Sequence, residues 1–172
     1  MAKYTRYRKY SRRNRPKWSS NINHHTGEIV TAPASSTFFN TIVLSFNPIQ
    51  QNTSVPQVFT VKNVEFTGQF ETTNTTTTIE GLCAFIMFVP QGMNITASYD
   101  TDHPEYIMAM RYFGSPSLDN ETKFAPIRIK TRLSRKLNTG DSIVLYLKGY
   151  NVGTANANLE YSGITRWWTK AN

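Results

Sequence analysis

Cysteine is nearly absent: Cys83 is the one thiol in 172 residues, which excludes an internal disulfide framework and suits a reducing compartment. Long hydrophobic runs are missing as well, and no stretch of about 18 apolar residues reads as a membrane span. The first residues lack the apolar h-region of a secretory signal, so the sequons at Asn52, Asn74, Asn94 and Asn120 are read as turn chemistry rather than glycosylation sites. There is no Gly-rich phosphate loop, and no set of nucleophile, base and oxyanion donor assembles from the order of residues. Catalysis is therefore not expected, and neither a cofactor nor a metal is assigned. The last absence is local: no acidic residue precedes Glu28.

What replaces acids there is MAKYTRYRKYSRRNRPKW, whose cations are Lys3, Arg6, Arg8, Lys9, Arg12, Arg13, Arg15 and Lys17, with Tyr4, Tyr7, Tyr10 and Trp18 set among them. Without aliphatic core formers the stretch cannot offset its ordering entropy, and it is expected to be disordered alone. These 8 cations are part of 19 in the chain; the other 11 match the 11 acids, so residues 19–172 are formally neutral and the arm carries the net +8. A cationic arm on a neutral body reads as a device for polyanions, of which nucleic acid is the commonest. Arg and Lys hold phosphates while Tyr and Trp stack on unpaired bases, with no base-specific readout required. A nuclear-localisation signal recognised by import factors is a compatible second use, and a solubilising tail is the plain alternative.

Beyond the arm the chain reads as strands almost throughout: β-branched and aromatic residues come in short runs separated by Pro, Gly, Asn and Thr. In Thr37–Phe46, Ile42, Leu44 and Phe46 fall on one face and Thr41 and Ser45 on the other. From Gln57 to Thr72 the apolar parity changes, predicting a β-bulge near Lys62 and Asn63. Leu82–Val89, LCAFIMFV, is apolar on both parities and predicts a central strand covered on both faces or lying at a subunit contact. Further strands are expected over Tyr106–Phe113, Ile127–Lys136, Ser142–Tyr150 and Asn158–Trp168, with a turn at Asn138–Asp141. Seven or eight such strands make an all-β antiparallel sandwich, immunoglobulin-like or jelly roll, and the long connections favour Greek-key crossings. The division expected is a largely disordered arm and linker over residues 1–36 and one sandwich domain over 37–172.

Within the body, Ile127, Ile129, Thr131 and Leu133 share one face of a strand, so Arg128, Lys130 and Arg132 project together from the other. This basic stripe either pairs with acids such as Glu65, Glu71 or Asp141 or forms a second anion-binding face. Of the adjacent Trp167 and Trp168, one should enter the core while the other fills a subunit contact or stacks on a base. Tyr99, His103 and Tyr106, in a long connection, are further interface candidates. His24, His25 and Glu28 lie in the polar stretch after the arm and lack a fourth metal ligand, so a solvated linker is the reading. Asp100, Asp102, His103 and Glu105 form the densest acidic cluster, either a cation site between subunits or an ordinary loop. Cys83, inside LCAFIMFV, reads as a small buried hydrophobe.

The arm, followed by FVPQGM (Phe88–Met93), HPEYIMAMRYFGSP (His103–Pro116) and LSRKLNTGDSIVLYL (Leu133–Leu147), resembles the capsid proteins of circovirus-like viruses with small circular single-stranded DNA genomes. The similarity spans essentially the whole chain. It implies an eight-stranded jelly roll, self-assembly into a small icosahedral T=1 shell of about sixty copies, a single-stranded DNA genome held by the arm, passage through the host nucleus and a cell-surface receptor. The arm is shorter and less dense, and the loops are briefer, than in well-known circoviruses. A different class, a cellular basic RNA-binding or ribosomal-type protein with a β-sandwich body, should carry a basic body. A secreted lectin-like or cytokine-like sandwich is disfavoured by the missing signal and the unpaired thiol.

Overall fold

Alternating apolar residues that can be sealed only between two layers decide the architecture. The structure is a computed structural model and describes residues 18–31, 36–48, 58–72, 79–114, 124–152 and 157–171. Nine strands are described: β1 (Ser19–Thr31), β2 (Ser36–Phe46), β3 (Phe59–Thr72), β4 (Ile79–Val89), β5 (Ile107–Gly114), β6 (Phe124–Lys130), β7 (Ser134–Leu137), β8 (Ser142–Asn151) and β9 (Ala157–Ala171). One sheet runs β1-β9-β3-β6 with β7 also on β3; the other runs β2-β8-β4-β5. Every pairing is antiparallel and they nest: β1 with β9, β2 with β8, β3 with β6 and β7, β4 with β5. A long hairpin folded over on itself gives this nesting, and the added β9–β3 and β8–β4 ladders close each sheet. That is the double Greek key of a jelly roll.

The ninth strand comes from an interruption. Opposite the predicted β3 bulge, where register shifts between Lys62 and Glu65 and Asn63 adopts φ 51°, the partner strand also breaks, at residues 131–133. The buried Thr131 hydroxyl donates to the Met108 carbonyl (2.9 Å) and accepts from the Leu133 N–H (3.1 Å), so the side chain replaces ladder bonds missing at the break. Leu133, expected inward, is consequently 54% exposed. A second bulge, between Val43 and Ser45, reverses the end of β2: Ser45 is buried and Phe46 is exposed, against the simple alternation.

The stretch read as a polar linker is β1, an edge strand in register with β9 along its whole length. The sandwich therefore begins at Ser19, not at residue 37. Composition hid the strand because an edge strand with one solvated face needs few apolar residues; in β1 only Ile29 is a buried hydrophobe. The alternation also separates His24 from His25, which point to opposite faces, so the two cannot share one metal with Glu28.

His25 points into the sandwich beside Phe66, 6.2 Å between ring centroids, and its Nε2 is buried with no hydrogen-bond partner. Burial, then the neighbouring His24, pushes its pKa below the ordinary 6.5. The unfolded chain thus binds a proton that the folded one resists, and stability falls as pH drops below 6.5, levelling off under the folded-state value. The expected result is a Tm that declines from pH 7 to 5 and declines less in His25→Leu. Identical pH profiles for the two proteins would show that His25 does not contribute.

The core lies between the sheets, with Val61, Val64, Phe66, Phe70, Ile127 and Ile129 facing Ile42, Leu44, Leu82, Ile86, Leu145 and Leu147. The outer face of the four-stranded sheet is also apolar, and residues 90–106, between β4 and β5, fold back over it. Helix α1 (Tyr99–Asp102) and a 3-10 turn (Pro104–Tyr106) lie in this segment, and Tyr99 joins Phe85, Met87, Val89, Val144 and Tyr146 in a second cluster. LCAFIMFV is therefore covered on both faces by its own chain. The Tyr146 hydroxyl, buried, donates within 3.0–3.1 Å of the carbonyls of Thr96 and Ala97, and Lys148 meets Asp100 at 2.8 Å.

Candidate nucleic-acid interface

Arm positions Lys3, Tyr4, Arg6, Tyr7, Arg8, Lys9, Tyr10, Arg12, Arg13, Arg15 and Lys17 lie outside the described residues. Trp18, the first described, shows where the arm joins the body. The ladder places Ser19 opposite Thr169 and Ser20 opposite Trp168, so the arm leaves from the end of the five-stranded sheet where β9 finishes. Lys62 Nζ sits 3.8 Å from the Trp18 ring centroid and Lys170 Nζ 6.0 Å, so two ammonium groups flank one indole.

Strand registers arrange the outer face of this sheet into rows. Trp168 lies between Ser20 and Lys62; Arg166 lies between Ile22 and Glu65, and Lys130 follows Glu65 on β6. Ile164 lies between His24 and Thr67, with Arg128 beyond. Arg128 and Lys130 point outward from buried Ile127 and Ile129, as the alternation requires, and Arg132 is exposed in the strand break. Glu65 accepts from Arg128 Nε at 2.8 Å, an exposed ion pair that adds little stability. Arg135, just past the strand break, donates to the Glu105 carbonyl at 2.8 Å and lies over the Phe88 ring.

The opposite end of the same face has the opposite sign. Glu160 is paired with Glu28 on one side and Glu71 on the other, which sets three carboxylates in a row across β1, β9 and β3. Formal neutrality of residues 19–172 thus conceals a dipole along one sheet face. Sequence reading missed it because the three glutamates are distant in the chain and only the ladder aligns them.

The aromatic interface candidates separate. Trp167 packs against the core, while Trp168 has the parity of Arg166 and faces outward. Tyr99 is 1% exposed, so it is a core residue of the cover and not available as a subunit contact. Burial, then Tyr106 and Glu105, pushes its hydroxyl pKa up to about 12. His103 and Tyr106 are half-buried and stacked, 5.3 Å between centroids, with Tyr106 edge-on to Phe88. The acidic cluster disperses onto separate partners: Asp100 on Lys148, Asp102 on the Ser98 hydroxyl, Glu105 on His103. Among the described residues, no group of three His, Cys, Asp or Glu is placed to hold a metal. Cys83 is half-buried, its thiol pKa raised by burial and then by Asp100.

Exposed apolar residues lie on both edge strands of the four-stranded sheet: Phe39, Val43 and Phe46 on β2, Met110 and Tyr112 on β5, and of these the sequence reading had placed only Phe46, on the opposite face. Met110 and Tyr112, 63% and 64% exposed, belong to IMAMRYFG, which is apolar on both parities just as LCAFIMFV is. That doubled pattern was the signal available for them.

No family model matches this chain. No curated protein matches it either. Among solved structures it is similar to a bacterial lipoprotein from Bacteroides thetaiotaomicron, at 9% identity and TM-score 0.43, covering 88% of this chain and 84% of that one. It is similar also to Desmodium yellow mottle tymovirus (10%, TM-score 0.33, covering 90% and 89%) and to the decameric BFDV capsid protein (5%, TM-score 0.35, covering 91% and 99%). At these identities and scores the likenesses assign no function.

Proposed function

We propose that this chain is the coat protein of a small virus, which assembles through its jelly-roll sandwich into a closed icosahedral shell of about sixty copies and gathers single-stranded DNA with residues 1–18. The observation that carries the reading is the partition of charge: an arm with the whole net +8 is joined to a neutral jelly roll at one end of one sheet face. The arm supplies counter-charge for phosphates, and the sandwich supplies rigid edges and exposed apolar residues for self-association. The chosen nucleic acid, DNA, and the shell size rest on the resemblance of the arm, FVPQGM, HPEYIMAMRYFGSP and LSRKLNTGDSIVLYL to circovirus-like capsid proteins. In this reading the chain resides in the virion, the arm doubles as a nuclear address read by import factors, and an outer surface meets a receptor. No catalytic role is proposed.

Negative-stain microscopy of the expressed full chain tests the proposal. Uniform closed shells are expected, with each specific contact burying at least about 1,000 Å². A protein that stays monomeric at high concentration, with and without single-stranded DNA, would refute it.

A further inference from the structure

We infer that the outer face of the five-stranded sheet, at the root of the arm, is itself a binding track for single-stranded polynucleotide, with phosphates on Lys62, Lys130, Arg166 and Lys170 and a base stacked on Trp168. This rests on the reading that the arm gathers nucleic acid, and extends it from the arm to the folded body.

Three observations converge. The first is chemical: cations and indoles interleave on one surface, the combination that holds single strands without base-specific readout. Trp168 stands beside Lys62 and Lys170 brackets Trp18, all with side chains on the outer face of adjacent strands. The second is geometric. From β1 across β9 and β3 to β6, three interstrand steps span about 14 Å, and from Ile164 to Lys170 the strand covers about 20 Å, a footprint for a few nucleotides. The described chain begins at Trp18, inside this footprint, so the arm's point of attachment lies on the track itself. The third is electrostatic: Glu28, Glu160 and Glu71 close the far end of the face, where a polyanion is repelled. The track therefore has a start at the arm and a stop at the carboxylate row.

The chain's three tryptophans, Trp18, Trp167 and Trp168, all lie at this end, so intrinsic fluorescence reports on the track directly. The full chain is titrated with oligothymidylate of about a dozen nucleotides across a salt series. Three variants with intact arms are compared with the parent: Lys62→Gln/Lys130→Gln/Arg166→Gln/Lys170→Gln, Trp168→Leu and Glu28→Gln/Glu71→Gln/Glu160→Gln. The first should lower the logarithmic salt slope by about 0.7 for each phosphate that is no longer neutralised, near 3 in total. Trp168→Leu should lower affinity about tenfold and weaken quenching with the slope unchanged, since stacking releases no counterions. The glutamine triple variant should bind more tightly. Unchanged affinity and slope in the first two variants, with the parent binding normally, overturns the track and leaves the proposed function standing. An unbound parent overturns both. Variants that bind normally but no longer assemble would make this face a contact between copies, which also overturns the track. Should the quadruple variant misfold, the single Trp168 and triple Glu variants decide.

Discussion

Changing Arg6, Arg8, Arg12 and Arg13 to Gln lowers affinity for single-stranded oligonucleotide on the order of 10²–10³-fold at about 0.1 M salt. The reasoning is counterion release: each cation that neutralises a phosphate on a single strand contributes about 0.7 to the logarithmic salt slope, so four remove roughly 3 units. These four are half of the 8 cations in the arm, and the remainder of the chain is formally neutral, so nothing of like charge replaces them except the cations clustered at the arm's root. Shells of the variant should enclose a shorter length of nucleic acid, because fewer phosphates are balanced per copy, and should release it at lower salt. Melting should be unaffected, since the sandwich begins at Ser19. The measurements are fluorescence titration over a salt series and nucleic-acid content per purified shell. Equal slopes and equal content would make the arm an import signal or a solubilising tail, and the coat-protein reading would lose its DNA-binding half.

Tyr99→Ala destabilises the sandwich by about 3–5 kcal/mol, the range for truncating a buried aromatic ring. Its ring is enclosed by α1, the 3-10 turn and β4, its hydroxyl lies 3.3 Å from the Phe88 carbonyl, and His103 and Tyr106 pack around it. Removing it loosens the cover over Phe85, Met87, Val144 and Tyr146, turning an internal apolar face into an exposed one. Tyr99→Phe keeps the ring and gives up one long hydrogen bond, so it should cost about 1 kcal/mol or less. Urea unfolding of the two variants measures the difference. A fully stable Tyr99→Ala that merely fails to assemble would return this tyrosine to the subunit interface, where its place in an aromatic-rich connection had put it.

Much of the fold was legible because it depends on local pattern. The parity change near Lys62 announced the β3 bulge, the doubly apolar LCAFIMFV announced a strand either covered twice or at a subunit contact, of which the structure shows the first, and Asn138–Asp141 announced a turn, in which Asp141 accepts the Asn138 N–H at 2.8 Å. What failed did so where one residue's direction depends on a distant partner. Phe46 and Ser45 exchange faces because β2 bulges against β8, and Leu133 turns outward because the strand breaks opposite the β3 bulge. β1 was invisible because edge strands are built to look polar, and only the β9 ladder makes the segment a strand.

The candidate site divides along the same line. The sequence by itself determined that the charge is concentrated in residues 1–18, that the body is neutral in sum and that Arg128 and Lys130 share a face, because net charge and the two-residue period of a strand need no tertiary information. Only the tertiary structure decided that Lys62, Lys130, Arg166, Trp168 and Lys170 gather where the arm departs, that Glu28, Glu71 and Glu160 line up at the far end, and that Tyr99 is core. Those placements follow from strand register, and register in a jelly roll joins segments more than a hundred residues apart, such as Ser19 and Thr169. Periodicity along the chain can say which face a residue takes, but only the closed ladder says which residues it stands beside.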